Sequence, residues 1–303
     1  MKRLYNILAV GIVAVLVLAA CTGGGGEAKP ATLLDAIKQR GYILVSTDPN
    51  YEPQSFLNTD GQRPADTKCP ADALTSAEMQ GFDVEVAVEV GKGLGVETCF
   101  ATPDWDLITA GNWADKWDVS IGSMTITTAR QKVLDFSVPY YYAPAVIAVR
   151  ADAGITSLED LNGQALCVGS ATTYEQWLSG DFEGLGLPES SIYAQPPKDV
   201  KIVPLPTDQE CAQAIAAGRQ DFVGYVTSMT VVNANIAAGF PVVQLGSPVY
   251  SEELAAAFDK SSSLPTDTLR EEVNKIFTAM HSDGRLSQLS IKWLGEDLTQ
   301  APK

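Results

Sequence analysis

The arginine at position 130 carries the plainest chemistry in this 303-residue chain. It closes the run Thr125-Ile126-Thr127-Thr128-Ala129-Arg130, at the start of a predicted helix. A guanidinium is a rigid planar fork that meets a carboxylate in two parallel hydrogen bonds. Ser123 and Thr125 lie just past a predicted strand end and offer backbone and hydroxyl groups. Thr172 and Thr173 fall between a strand and a helix start, where free N–H groups attract anions. Threonine at such a place also caps helices. Asp48 follows another strand and can accept a hydrogen bond from a ligand or hold its own loop. Nothing assembles a nucleophile with its base. The only histidine, His281, lies near the C-terminus in a helix-like stretch and is expected to be a solvated surface residue. There is no phosphate loop and no metal-ligand spacing. These residues point to binding without catalysis, with no cofactor and no metal.

Placing them requires the elements around them. Met1-Lys2-Arg3 is basic, and Ile7 to Ala20 is an apolar run too short to span a bilayer, which needs about 20 residues. This pattern describes a signal peptide over residues 1–20. Leu18-Ala19-Ala20-Cys21 resembles a bacterial lipobox, which implies a lipid on Cys21 and anchoring to the outer face of the cell membrane or the periplasmic side. Residues 21–29 then form a glycine-rich tether. A net charge of −16 excludes a nucleic-acid partner, which requires basic patches. Cys69, Cys99, Cys167 and Cys211 remain. In an exported chain an even set of cysteines is expected to form disulfides.

Strands and helices alternate along most of the chain. Strands are expected at 42–46, 96–100, 119–121, 165–168, 200–203 and 222–225. Helices are expected at 32–39, 82–93, from Trp105, 173–178, 208–217, 266–280 and 286–294. Alternation of this kind builds helices over largely parallel sheets, with ligands beyond the carboxyl ends of the strands. Residues 58–77 are polar and aperiodic, a loop or insertion. Residues 139–150 and 241–258 are extended and break the rhythm, and the first reads as a crossover between two domains.

The stretch Val119-Ser120-Ile121-Gly122-Ser123-Met124-Thr125-Ile126-Thr127-Thr128-Ala129-Arg130, continued by Asp135-Phe136-Ser137-Val138-Pro139-Tyr140-Tyr141-Tyr142, resembles the signature of solute-binding protein family 3, the polar amino-acid receptors of ABC importers. Ser46-Thr47-Asp48 with Tyr51 and Pro53, Gly81-Phe82-Asp83-Val84, Ser157-Leu158-Glu159-Asp160-Leu161, Ala171-Thr172-Thr173 and Lys292-Trp293-Leu294-Gly295 follow in family order. The resemblance implies an α/β, two-lobed periplasmic-binding-protein fold of type II, its lobes joined by two extended hinge strands. Lobe 1 would be residues 30–148 plus 247–303, and lobe 2 residues 149–246. Each lobe then holds two cysteines, implying Cys69–Cys99 and Cys167–Cys211 pairs that leave the hinge free. The implied partners are a carboxylated small solute and an ABC permease, with the receptor itself a monomer.

By the same resemblance, Arg130 holds the ligand's carboxylate and Tyr51 and Trp105 form aromatic walls. The family's second-lobe aspartate for the ligand's ammonium falls here on Val226, five residues after Asp221. Valine cannot offset a buried ammonium. Either another group takes over, such as Tyr225 with a contact from Thr227, or the ligand is a carboxylate without an α-ammonium. The output also stays open between import and signalling to another partner.

Overall fold

The computed structural model describes residues 29–302. Cys21, the signal peptide and most of the tether lie outside the described residues. The chain opens with α1 (Leu33–Arg40), β1 (Tyr42–Ser46), β2 (Asn50–Tyr51), β3 (Ser55–Leu57), β4 (Leu74–Thr75), β5 (Met79–Gln80), α2 (Phe82–Leu94), β6 (Glu97–Ala101), α3 (Trp105–Thr109), β7 (Val119–Thr125), β8 (Leu134–Phe136) and β9 (Tyr141–Arg150). Then follow β10 (Ala165–Gly169), α4 (Thr173–Ser179), α5 (Phe182–Leu185), β11 (Lys201–Leu205), α6 (Asp208–Ala216), β12 (Gly224–Ser228) and α7 (Met229–Ala237). The 18-residue β13 (Val242–Asp259), α8 (Asp267–Ser282) and α9 (Arg285–Leu294) complete it.

One mixed sheet runs through the molecule in the order β11-β10-β12-β9-β13-β7-β1-β6-β4. Its flanks are parallel where βαβ units build them: β1 with β6 and β7, and β10 with β11 and β12. Helices and loops cover both faces here, and all of β7 and β12 is buried, their small and hydroxyl residues included. The centre is antiparallel. Residues 145–149 of β9 pair with β12, while β13 pairs with β9 from Val242 to Leu254, across a register shift between Leu245 and Tyr250, and from Leu254 onward with β7 and β8. These two long strands are therefore shared by two αβ lobes.

Each lobe has its own apolar interior. In the first, Phe82, Val86 and Val90 of α2 pack with Phe277 and Leu286 beneath β1 and β7. On the sheet's other face Trp113 and Trp117 lie over Met124 and Leu134. The second lobe buries Trp177 and Leu185 on one face, and Cys211, Ile215 and Val232 on the other. The cysteines pair within lobes, Cys69–Cys99 and Cys167–Cys211.

Three local expectations change. Arg130 begins a single 3₁₀ turn, Arg130–Lys132, and not an α-helix. The 58–77 insertion is tied down by β4, whose Leu74 and Thr75 pair antiparallel with Phe100 and Cys99 of β6. His281 is half-buried, with Nε2 3.0 Å from the carbonyl of Pro139. Helix α7 has no counterpart in the sequence reading, because its run Met229-Thr-Val-Val-Asn-Ala-Asn-Ile-Ala lacks a clean apolar stripe.

Candidate functional site

The carboxyl ends of the parallel strands in both lobes face a single cleft. After β1 comes Asp48, after β6 Trp105, at the end of β7 Ser123 and Thr125, after β10 Thr172 and Thr173, and after β11 Thr207 and Asp208. Together with Tyr51, Arg130, Tyr174 and Glu252 they line one cavity between the lobes. Ligand sites of α/β sheets fall at such strand ends.

The lobes touch across this cleft. Asn50 Nδ2 donates to Thr207 Oγ1 at 3.4 Å, and Gln54 Nε2 to Thr230 Oγ1 at 2.5 Å. The Tyr51 and Tyr174 hydroxyls are 3.3 Å apart. The Ala129 N–H donates to Gly184 O at 2.9 Å. The molecule is therefore closed.

Arg130 is 6 % exposed. Its Nη1 donates to Thr125 O at 3.1 Å and its Nη2 to Ala171 O of the other lobe at 3.0 Å. The guanidinium lies 5.4 Å over the Trp105 ring, a cation–π contact. Burial pulls its pKa down to about 10, against the attraction of Glu252. Among the described residues no carboxylate lies within ion-pair distance of it. Two carbonyl bonds leave this buried cation with donors to spare, the chemistry that suits an anion.

The backbone is shaped to the same end. Ser123 and Ala171 adopt left-handed conformations, φ +55° and +59°. Non-glycine residues there cost on the order of 1–3 kcal/mol and cluster at functional sites. Ser123 is held by the Tyr140 hydroxyl, which accepts its N–H at 2.9 Å, and by its own Oγ, which donates to Asp83 Oδ2 at 2.6 Å. Asp83 is fully buried beneath this floor, and burial raises its pKa to about 7.

Acidic groups outnumber Arg130 around the cavity. Burial raises Asp48 to about 6 and Asp208 to about 7, and pushes Glu252 upward. Asp48 accepts the Asn50 N–H at 2.8 Å, so it holds its own loop while it lines the cavity. Asp208 accepts the Gly169 N–H at 2.7 Å and the Thr227 hydroxyl at 3.0 Å. Glu252 accepts hydroxyls from Thr125 at 2.6 Å, from Tyr174 at 2.9 Å and from Thr173.

Asp48, Tyr51, Trp105, Ser123, Thr125, Arg130, Thr172 and Thr173 thus come together in one lining. Thr172 is also the N-cap of α4, accepting from the Glu175 N–H. Tyr225 is not part of the lining. It is buried in the second lobe's interior, where its hydroxyl accepts from Asn235 Nδ2 at 3.1 Å. The reason is strand geometry. Tyr225 shares a face with Thr227 but sits two residues, roughly 7 Å, further from the cleft end of β12. Val226 points to the opposite face, into the apolar interior.

Sequence reading missed Asp208, Glu252 and Tyr174. Asp208 looks like an ordinary first-turn acid complementing the helix dipole. Glu252 sits beside a second acid, Glu253, in an extended stretch that turns apolar only from Leu254 to Phe258, and it is 2 % exposed.

Residues 43–296 match the profile of the bacterial extracellular solute-binding proteins, family 3. The chain belongs to this family of binding proteins. Among its curated relatives, the L-cystine-binding protein TcyJ of Escherichia coli (strain K12) is 28 % identical over 99 % of this chain and 97 % of its own length. The L-cystine-binding protein TcyA of Bacillus subtilis (strain 168) is 29 % identical over 95 % of this chain and 96 % of its own. Among solved structures, a mutant of ArgBP from T. maritima superposes with a TM-score of 0.68 at 27 % identity, covering 87 % of this chain and 99 % of that one. The ancestral amino acid-binding protein AncCDT-1, a precursor of cyclohexadienyl dehydratase, gives 0.67 at 30 % identity over 86 % and 99 %.

Proposed function

We propose that this chain is the exported substrate-binding receptor of an ABC importer and that it captures an α-amino acid by closing its two lobes. The observation that carries this reading is Arg130: a buried guanidinium facing a closed interlobe cavity, with no carboxylate among the described residues in ion-pair contact. The ligand's carboxylate supplies the missing anion. The surplus of buried acids supports a ligand that also carries positive charge. L-Cystine, from the relatives' names, and L-arginine, from the similar structures' titles, are the first candidates.

In this reading residues 30–148 with 247–303 form one lobe and 149–246 the other. Strands β9 and β13 flex between them. Closure needs contacts to both lobes, and Arg130 provides the pattern by reaching Thr125 in one and Ala171 in the other. The mature protein would be a monomer tethered through a lipid on Cys21 beside its permease.

The test is a thermal-shift screen of the purified protein against amino acids, simple amines, sugars and small carboxylates. A ligand at 100 times its Kd adds about 2.7 kcal/mol to stability. A shift from an α-amino acid supports the reading. Silence from every carboxylate beside a shift from a sugar or an amine overturns it. Anchoring is checked separately by mass spectrometry of the membrane-extracted protein, where an N-terminal diacylated Cys21 is the expected species.

A further inference from the structure

We propose that Glu252, on the hinge strand β13, is the residue that binds the ligand's ammonium, and that it replaces the second-lobe carboxylate absent at Val226. This rests on the reading that the ligand is an α-amino acid.

The geometry around Thr125 carries the proposal. Arg130 Nη1 donates to the Thr125 carbonyl at 3.1 Å, while Thr125 Oγ1 donates to Glu252 Oε1 at 2.6 Å. One residue thus sits between a buried cation and a buried anion, and all three line the same cavity. An α-amino acid carries its two charges on a single carbon. A head group laid over Thr125 meets both, carboxylate toward Arg130 and ammonium toward Glu252.

The partners of Glu252 fit this role. It is 2 % exposed, yet no cation lies within ion-pair distance of it among the described residues. Its donors are three neutral hydroxyls, those of Thr125, Thr173 and Tyr174. Hydroxyl hydrogens rotate, so they can turn to another acceptor when a cation arrives. Arg130 attracts Glu252 from beyond ion-pair distance, burial still pushes the carboxylate upward, and an ammonium at contact distance would supply a direct counter-charge. Asp208 differs. Its oxygens take the Gly169 N–H and the Thr227 hydroxyl, both within lobe 2, which fixes the start of α6. Glu252 is instead shared: Thr125 comes from the first lobe, Thr173 and Tyr174 from the second. Whatever binds Glu252 is felt by both lobes.

The experiment uses protein made from the full chain, purified in detergent, and calorimetric titration. The probes are L-arginine and L-glutamine, each paired with its des-amino counterpart, 5-guanidinopentanoate and glutaramate. The wild type should prefer the amino acid in the better-binding pair by at least about 100-fold, the scale of a desolvated charge pair. Glu252→Gln keeps a hydrogen-bond acceptor but loses the charge. It should cut that preference to below about 10-fold while leaving affinity for the des-amino acid within about 3-fold. Equal weakening of both members of a pair would mean a structural role only and overturns the proposal. So does a wild-type preference retained in Glu252→Gln, or one that collapses in Asp208→Asn instead. A wild type indifferent to the ammonium overturns the amino-acid reading itself, and this proposal with it.

Discussion

Replacing Arg130 by methionine should separate binding from folding. The side chain's stem is kept, and the charge and fork are lost. The buried guanidinium is held at about 10 by desolvation, below its usual 12.5, which corresponds to on the order of 3 kcal/mol of destabilisation that the variant relieves. Against this, the carbonyls of Thr125 and Ala171 lose their donors, at about 1 kcal/mol each. The two effects nearly cancel. Without ligand, Arg130→Met should therefore stay within about 1–2 kcal/mol of the wild type in chemical denaturation. Binding has no such compensation. Truncating one partner of a buried, hydrogen-bonded charge pair costs about 2–5 kcal/mol, or about 30-fold to a few thousand-fold in Kd. Calorimetry with the amino acid that most stabilises the wild type reads the second quantity. If Arg130→Met binds that amino acid as tightly as the wild type, the carboxylate does not sit on Arg130 and the reasoning is wrong. If the ligand-free variant unfolds several kcal/mol more easily, Arg130 is a structural residue first.

Further outcomes follow from other sites. Tyr225→Phe leaves Asn235 without its hydroxyl acceptor and should cost about 1–2 kcal/mol in denaturant melts with ligand affinity unchanged; a tenfold loss of affinity would return Tyr225 to the site. Replacing both Cys167 and Cys211 by serine opens a loop of 44-residue separation and should cost about 4 kcal/mol, read from the same melts; a loss under 1 kcal/mol would contradict the assignment. Asp83, raised to about 7 by burial, stabilises the fold fully below its unfolded value near 3.8 and loses that contribution as pH rises through 7. The advantage of wild type over Asp83→Asn in melting temperature should therefore shrink between pH 5 and pH 8. A constant or growing advantage over that range would refute the raised value.

Much of the fold was legible because its elements are local. Apolar runs such as Tyr42–Ser46 and Ala165–Gly169 can satisfy themselves only as strands buried on both faces, and the spacing of Val84, Ala87 and Val88 commits α2 to one side. The site was legible where its residues sit in ordered motifs, as with Ser123, Thr125 and Arg130. It was hidden where long-range pairing decides. Tyr225 and Thr227 look equivalent along the chain, and only the position of the strand's end sends one to Asn235 in the interior and the other to Asp208 behind the cavity lining. Glu252 belongs to the cleft because β13 crosses between the lobes and lies against β7 and β9, its own partner Ala143 being 109 residues away in the chain. No local pattern announces that. Val226 lies in the apolar interior, while the acids Asp208 and Glu252 reach the cavity from a helix start and a hinge strand.

The measurement that reaches the central claim most directly is a crystal structure of the protein with the amino acid that raises its melting temperature most. That molecule is expected between the two lobes, its carboxylate oxygens about 2.7–3.2 Å from the Arg130 guanidinium nitrogens. Density for the ligand elsewhere, or a ligand in the cleft with no anionic group on Arg130, would contradict it.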